Sequence, residues 1–379
     1  MIKLAKPSID DDDIQSVSEV LLSGSLIQGE KVKEFEQKIA KYLGCDYAIA
    51  VSNCTSALHL ALLSLNIEKS DVVLVPSYSW VSTANVIELC GATPLFIDIK
   101  ADTFNMDPEK LSEKLQQLIP DLSCKTTVRA IIPVHTFGQV ADMPAIMKIA
   151  DYYNIPVIED AACALGSTLH DKKAGTWGLM NCFSFHPRKT ITTGEGGIIA
   201  TNNKILAHYL RALRNHGIDP DSDTTDFIIP GYNYRMTEFQ AALGISQLKK
   251  IDKIIARKRA LAFNYTKLLN TCVQTPQEIT GSNSTYQSYV ILLPPELASK
   301  REIIIKQLKD FGIETTIGTI HIPLTTCYRQ KYGYKKRDFP ITDDIAARSL
   351  TLPLYENMTS DDQKTVVEKL LSILHQETA

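Results

Sequence analysis

The sequence lacks the features that mark membrane, secreted and nucleic-acid-binding proteins. No uninterrupted apolar run approaches the roughly 20 residues that span a bilayer, and the opening MIKLAKPSIDDDD carries aspartates where a signal peptide has an apolar core. The 40 Lys and Arg residues are outnumbered by 43 Asp and Glu residues, so there is no excess of positive charge to bind nucleic acid. We therefore expect a cytoplasmic protein with neither a membrane nor a nucleic-acid partner.

The cysteines lack the spacing of a metal site or of a redox pair. None forms a Cys-x-x-Cys pair, and none lies beside histidines at metal-ligand spacing, so we expect no metal. In a reducing compartment most of them should be free, buried thiols. The eight residues are Cys45, Cys54, Cys90, Cys124, Cys163, Cys182, Cys272 and Cys327.

What the sequence does contain is a regular alternation of strand-like and helix-like segments between Tyr47 and about Thr201. Such alternation predicts a three-layer α/β/α domain with a mostly parallel sheet. The expected strands are YAIAVS, VVLVPS, TPLFIDI, RAIIPVH, IPVIED, CFSFH and GGIIAT. The expected helices between them are SALHLALLSL, VSTANVIELCG, DPEKLSEKLQQL and MPAIMKIADYYN.

A chain of 379 residues is long enough for a second unit. We expect residues 1–250 to form the large domain and residues 251–379 a smaller α+β domain. One long helical stretch, from MTEFQAAL to YTKLL, should bridge the two. The amphipathic segment Asp10 to about Leu22 should form a helix that packs on either domain.

Ligands of parallel sheets bind at the carboxyl ends of the strands, so the residues that follow each strand are candidates for a site. After YAIAVS, Thr55 or Ser56 begins a helix whose free N–H groups suit a phosphate, although plain helix capping is the alternative. After VVLVPS, Trp80 suits stacking on a planar ring, although a core aromatic is the alternative. The strand IPVIED ends in Glu159 and Asp160, and Asp160 could hold a cationic ring nitrogen or cap the next segment.

The segment FSFHPRKTITTGEGG adds a lysine to these candidates. Lys189 follows a buried-looking strand, and a partly desolvated lysine loses its proton more easily and becomes a nucleophile for an aldehyde. Ser184 can face the same pocket, and the glycines let the backbone come close to a ligand. A phosphate site, a stacking ring, an aspartate and a lysine in this order point to pyridoxal phosphate.

These motifs resemble the DegT-type nucleotide-sugar aminotransferases, within the fold-type-I, aspartate-aminotransferase-like pyridoxal-phosphate enzymes. The resemblance covers nearly the whole chain. It rests on LLSGSLIQGEKVKEFEQKIAKYLG, NCTSALHLAL, VPSYSWVSTANVIELCGATPLFIDI, IEDAACALGS, SFHPRKTITTGEGG, PGYNYRMTEFQAALG and RSLTLPLYENMT.

The resemblance implies a role for each matching residue. Lys189 would form the Schiff base and then shuttle the proton, with pyridoxamine phosphate as the intermediate form of the cofactor. Asp160 would keep the ring nitrogen protonated, and Trp80 would stack on the ring. The phosphate would be held by Thr55, Ser56, Ser184 and, from the neighbouring subunit of a homodimer with shared active sites, Asn233.

The sequence departs from the family at Cys163, where Gln or His commonly lies near the ring oxygen of the cofactor. A thiol is a weak hydrogen-bonding group, so this contact is in doubt. A branch of the family that performs dehydration has His in place of the lysine; because this chain keeps Lys189, transamination is favoured.

The resemblance implies transfer of an amino group from L-glutamate to a nucleotide-linked 4-keto- or 3-keto-6-deoxysugar, in pathways such as polysaccharide biosynthesis. A free oxo-sugar or cyclitol ketone, a sugar dehydratase and a non-catalytic cofactor-binding regulator are the alternatives. Substrate contact is a further expectation for five residues, although a packing or loop role suits His186 better, and a loop ion pair suits Arg188 at least as well. They are His135, His186, Arg188, Arg235 and His321.

Overall fold

The computed structural model describes residues 1–121 and 127–378. The helices are α1 (Asp11–Ser23), α2 (Glu30–Leu43), α3 (Cys54–Leu63), α4 (Ser82–Leu89), α5 (Pro108–Asp121), α6 (Met143–Tyr153), α7 (Lys204–Arg214), α8 (Glu238–Leu248), α9 (Ile251–Leu269), α10 (Arg301–Asp310), α11 (Thr326–Tyr332), α12 (Pro340–Arg348) and α13 (Ser360–Thr378). The strands are β1 (Tyr47–Val51), β2 (Val72–Pro76), β3 (Tyr78–Ser79), β4 (Thr93–Ile97), β5 (Val128–Ile131), β6 (Ile158–Asp160), β7 (Thr168–Leu169), β8 (Lys172–Lys173), β9 (Met180–Ser184), β10 (Gly197–Thr201), β11 (Ser282–Asn283), β12 (Tyr289–Leu292), β13 (Ile320–His321) and β14 (Ser349–Leu352).

The central sheet follows the order β4-β2-β5 and then β6-β9-β10-β1. Parallel bridges from Ile131 to Val157 and from Val134 to Asp160 join the two halves. β2 pairs in parallel with β4 and β5, and β6 with β9, whereas β10 is antiparallel to both β9 and β1. The predicted mostly parallel sheet of an α/β fold is therefore confirmed.

Buried apolar residues explain why these strands form. β2 and β10 are buried along their whole length, which is the pattern of strands covered by helices on both faces. Helix α3 is buried nearly all round and packs against β9 and β10. A parallel sheet with both faces covered leaves its carboxyl edge as the open place for a ligand.

The long helical stretch predicted after residue 236 is two helices, so the prediction of one was wrong. The chain leaves helical geometry at Lys250, with φ −113° and ψ 6°, between α8 and α9. The Lys250 ammonium lies 2.5 Å from a carboxylate oxygen of Asp10 and 2.6 Å from one of Asp13, at the start of α1. The break thus lets one lysine tie the N-terminal helix, which packs on α8, to the body of the large domain.

A second core forms from α9, α10, α13, β12 and β14, with Leu261, Tyr265, Tyr289 and Leu370 buried in it. Part of the chain that follows residue 250 nevertheless packs against the large unit. Ile322 and Phe339 belong to the core of the central sheet, and β13 pairs with β3. The domain division at residue 250 stays a prediction, and residues 320–339 pack with the large unit.

The seven cysteines within the described ranges are free thiols, as expected. Only Cys54 and Cys182 among them are buried, so the expectation that most would be buried was wrong; Cys124 lies outside the described residues. Among the described helices, none combines the length and the apolar character that crossing a membrane requires.

Candidate active site

The edge of the sheet brings the predicted site residues together. Ser184, the last residue of β9, pairs with Gly197, and Gly197 pairs with Val51, the last residue of β1. Asp160, the last residue of β6, pairs with Cys182 two positions before Ser184. The ends of β6, β9 and β1 therefore lie side by side, as the sequence predicted.

Asp160 is buried at this edge and lacks a cation within ion-pair distance among the described residues. The Thr83 hydroxyl donates to one carboxylate oxygen over 2.8 Å, and the Ala162 N–H donates to the other over 3.2 Å. Burial raises the pKa of the Asp160 carboxyl, and the hydrogen bonds and the charge of Lys189 offset part of the rise. A buried carboxylate in this state is suited to receive a cationic ligand.

Glu159, the neighbouring carboxylate, is fully buried and has a structural set of partners. The backbone N–H groups of Gly175, Trp177 and Gly178 donate to it over 2.6 to 2.8 Å. His135 Nε2 lies 2.7 Å from its Oε2, and because His135 Nδ1 accepts from a backbone N–H, Nε2 is the donor. Glu159 is thus fully engaged in holding the loop after β8.

This arrangement corrects the expectation for His135. The side chain is fully buried, and both ring nitrogens are used by protein groups. It has no exposed atom with which to contact a substrate directly. Its physical role is to pair with Glu159, one residue before Asp160.

Lys189 ends a turn in which its N–H donates to the His186 carbonyl over 2.8 Å. Its Nζ donates to Cys163 Sγ over 3.1 Å. Burial alone lowers the pKa of Lys189, but Cys163, Cys54 and Asp160 more than offset this, so the pKa lies above its ordinary value. The expectation that desolvation would release the proton was therefore wrong for this set of neighbours.

The helix start predicted to bind phosphate is present, with a different cap. Asn53 is the N-cap of α3, and its side chain accepts from the Ser56 N–H over 2.8 Å, so neither Thr55 nor Ser56 caps the helix. The Ser56 hydroxyl lies 3.1 Å from that of Ser52, whereas Thr55 is exposed. The first N–H groups of a helix have no partner within it, which makes this turn a place for an anion.

Two glycines after Lys189, Gly196 and Gly197, allow close contacts within the protein, and the expectation that these glycines let the backbone come close to a ligand stays a prediction. A Cβ on Gly197 would come within 2.5 Å of the Asn53 carbonyl group, and one on Gly196 within 2.2 Å of the Thr193 hydroxyl. Gly194 has a φ of +81° and open space around it. Gly197 therefore lets β10 lie directly against the start of α3.

Trp80 lies on the turn between β3 and α4, with 65% of its surface exposed. Its carbonyl accepts from the N–H of Thr83, the residue that also bonds Asp160. Thr83 was missed in the sequence; its only signal was a hydroxyl three residues beyond Trp80 on the first turn of a helix. The indole is exposed, and its stacking role stays a prediction.

The remaining candidates lie around this edge. Asn233 is exposed, and Arg235 donates to Asn215 over 2.7 Å. His186 is half-buried, with its pKa lowered by burial, and Arg188 is exposed. His321, beside Asp343 at 3.2 Å, pairs through its backbone with the strand that leads to Trp80. Their contacts with a substrate stay predictions.

The described residues fit pyridoxal phosphate. A lone buried carboxylate suits a ring nitrogen, a helix start suits a phosphate, and an amine stands at the same sheet edge. Lys258 was missed altogether: it is buried on α9, donates to the Gln287 carbonyl over 3.0 Å, and lies within the electrostatic reach of Lys189 and Cys163. No periodicity distinguishes it from the other basic residues of α9.

Comparisons with known proteins agree with this geometry. The model of the DegT/DnrJ/EryC1/StrS aminotransferase family matches residues 7–371. GDP-perosamine synthase of Caulobacter vibrioides is 37% identical over 380 residues, which cover 98% of each chain.

Solved structures agree as well. Helicobacter pylori PseC, an aminotransferase of pseudoaminic acid biosynthesis, superimposes with a TM-score of 0.91 at 27% identity, over 99% of each chain. Spr1654 of Streptococcus pneumoniae, solved in a PLP-form and a PMP-form, gives 0.91 at 26% identity, with 99% of each chain covered in the PLP-form. The chain thus belongs to the DegT/DnrJ/EryC1/StrS aminotransferase family, a family of pyridoxal-phosphate enzymes.

Proposed function

We propose that the protein transfers the amino group of L-glutamate to the keto group of a nucleotide-linked 4-keto- or 3-keto-6-deoxysugar. The products are an amino sugar and 2-oxoglutarate. The observation that carries the proposal is the placement of Asp160 and Lys189 at one edge of the sheet, each with a group suited to hold part of the cofactor. GDP-perosamine synthase, a relative over nearly the full chain, supports a nucleotide-linked sugar.

Each residue has a defined task in this proposal. The buried Asp160 carboxylate holds the proton on the ring nitrogen, and Thr83 fixes the orientation of that carboxylate. The start of α3, with Ser56 and Ser184, binds the phosphate, and Trp80 covers one face of the ring. When bound, pyridoxal phosphate supplies the electron sink for breaking the bond between the substrate carbon and its hydrogen.

In this proposal, Lys189 is the residue that transfers the proton. Its amine carries a proton between the substrate carbon and the cofactor, which is general acid–base catalysis by one positioned group. Lys189 must leave Cys163 to do so, because its Nζ otherwise donates to that sulfur. His186, Arg188, Arg235 and His321 surround the edge and are proposed to contact the sugar or its nucleotide.

The test is a panel of keto-sugars, with and without a nucleotide, incubated with L-glutamate and pyridoxal phosphate. We expect 2-oxoglutarate release with nucleotide-linked ketones, and complete loss of release in Lys189→Ala. Lys253→Ala, which removes an exposed lysine, is the matched control and should retain activity. Turnover with free ketones alone would favour the oxo-sugar alternative, and loss of water from the sugar without 2-oxoglutarate would favour the dehydratase.

A second part of the proposal is a homodimer with shared active sites. Asn233 is exposed on the segment 231–235, whose Tyr234 carbonyl accepts from the Ser52 N–H, next to the phosphate turn. Exposed apolar side chains lie on adjoining segments: Ile27 follows Leu26, whose carbonyl accepts from the Glu238 N–H, and Phe227 precedes Ile228, whose N–H donates to the Gly217 carbonyl. An exposed apolar surface beside a site suits a second copy of the chain.

A further inference from the structure

The contact between Cys163 and Lys189 has chemistry of its own. Sγ and Nζ lie 3.1 Å apart, and both side chains are partly buried. The Cys163 carbonyl accepts from the Thr285 hydroxyl over 3.1 Å, which fixes the backbone that presents the sulfur. The cysteine sulfur and the lysine nitrogen are therefore held in direct contact.

The surroundings of this pair favour oxidation of Cys163. The sulfur of Cys163 raises the pKa of Lys189 despite its burial, which means that a positive charge stays beside the sulfur. Reactive cysteines occupy such partly exposed, electropositive places, because a cation favours the thiolate that attacks an oxidant. The other charged or titratable groups near the pair are Cys54 on α3, Asp160 on β6, Lys258 on α9, and His186 and Arg188 on the turn before Lys189.

We propose that Cys163 and Lys189 are a modification site at which a peroxide produces a reversible sulfur–nitrogen cross-link whenever the lysine amine is free. The Cys163 thiolate attacks the peroxide, the O–O bond breaks, and the departing hydroxide takes a proton from the neighbouring Lys189 ammonium, which gives a sulfenic acid, one molecule of water and an uncharged amine. The uncharged amine then attacks the sulfur, so that an S–N bond forms, the S–O bond breaks, and the hydroxyl leaves with one amine hydrogen as a second water. Two molecules of an added thiol reduce the bond and are oxidised to their disulfide.

Because Lys189 is the residue proposed to bind the cofactor, the cross-link affects cofactor binding. A cross-linked Lys189 has no free amine with which to hold a cofactor. The link also stops the sulfur from further oxidation to sulfinic acid, which is not reversed by thiols. The cross-link thus holds Lys189 in a form without a free amine, and reduction by thiols restores that amine. The inference concerns the two side chains alone and goes beyond the proposed function.

The test uses the full chain freed of cofactor, treated with hydrogen peroxide and digested for mass spectrometry. We expect one cross-linked pair of peptides, carrying Cys163 and Lys189, that is lighter than its two parts by two hydrogens and is released by dithiothreitol. Cys163→Ser should abolish the product. In Lys189→Arg, Cys163 should be oxidised further, to the sulfinic acid that thiols do not reduce. Cys327→Ser removes an exposed thiol and should leave the cross-link intact.

Other products would overturn the inference. Oxidation of Cys163 to sulfinic acid in the unaltered chain would show that the amine does not capture the sulfur, and a disulfide between Cys163 and Cys54 would show a different partner. Prior loading with pyridoxal phosphate should suppress the link by occupying Lys189. If the link forms but no sugar is aminated, only the proposed function fails.

Discussion

Two carboxylates stand next to each other at the end of β6, and their partners give them opposite tasks. Glu159 accepts from three backbone N–H groups and from His135, so that every strong donor around it is already used. Asp160 accepts from Thr83 and Ala162 and has no cation within ion-pair distance among the described residues. Glu159 therefore stabilises the fold, whereas Asp160 is available to a cationic ligand.

This difference predicts opposite effects for two isosteric substitutions. Glu159→Gln places an amide N–H among backbone donors, so we expect the free energy of unfolding to fall by about 2–4 kcal/mol. Asp160→Asn removes a carboxylate whose burial already opposes its charge, so we expect stability to change by less than about 1 kcal/mol while cofactor affinity and activity are lost. Urea denaturation and cofactor titration measure both, and a reversal of the two patterns would contradict the assignment.

Lys258 makes folding depend on pH. Burial lowers its pKa from the ordinary value of 10.5 to about 7, with the charge of Lys189 adding to this and that of Cys163 opposing it. Below about pH 7 the folded protein must bury an ammonium group. Between about pH 7 and about pH 10.5 the unfolded chain binds more protons at this position than the folded one, so stability rises with pH across that window.

We therefore expect Lys258→Met to stabilise the protein most at or below about pH 7, by an amount bounded at roughly 5 kcal/mol, and progressively less as the pH rises towards 10.5. Loss of the hydrogen bond to the Gln287 carbonyl subtracts a part that does not depend on pH. Denaturation curves at several pH values measure the difference from the unaltered chain. Lys253→Met is the exposed control on the same helix, and an equal effect of Lys258→Met at every pH would contradict the prediction.

At the scale of elements, the strands and helices of the large domain could be predicted because each carries its own pattern. β2 and β10 are uniformly apolar, and α3 is apolar nearly all round, since both faces of the sheet are covered. The break at Lys250 could not be predicted, because it depends on a pairing with Asp10 and Asp13 more than 230 residues away in the chain. The N-cap Asn53 was passed over because the hydroxyls that follow it are equally good capping residues.

The contact between β10 and α3 leads to a prediction about Gly197. A Cβ there would lie 2.5 Å from the carbonyl carbon and oxygen of Asn53, and 2.8 Å from the Cys54 nitrogen. Because backbone must move to relieve this overlap, we expect Gly197→Ala to cost about 1–3 kcal/mol and to weaken cofactor binding through the displaced phosphate turn. Urea denaturation and cofactor titration measure the two effects.

Gly194 supplies the matched control. Its φ of +81° makes Gly194→Ala strained, but nothing lies within 4 Å of the added Cβ. We expect a cost of about 1 kcal/mol in stability with cofactor affinity unchanged. Equal losses of affinity in both variants would mean that the glycines act through flexibility and not through the packing of β10 on α3.

At the scale of the whole molecule, the two units are tied together more closely than their order in the chain indicates. β13 pairs with β3 directly before Trp80, and the Asp98 carboxylate accepts from the Ile341 and Thr342 N–H groups at the start of α12. These links join residues more than 240 positions apart, so no local pattern reveals them. They place His321 beside the strand that leads to Trp80, a position that the spacing of residues in the sequence could not give for this candidate substrate contact.

The shared active site of the proposed homodimer is tested by mixing two defective proteins. Lys189→Ala lacks the catalytic amine, and Asn233→Ala lacks the side chain that we propose reaches the phosphate of the partner subunit. In a mixed dimer, the chain with an intact Lys189 receives an intact Asn233 from the other, so one of its two sites is complete. After subunits exchange at equal concentrations, half of the dimers are mixed, and we expect about a quarter of the unaltered activity from two preparations that are nearly inactive alone. Activity no greater than the average of the two, with dimers verified by analytical ultracentrifugation, would mean that each chain completes its own site and that Asn233 acts within it.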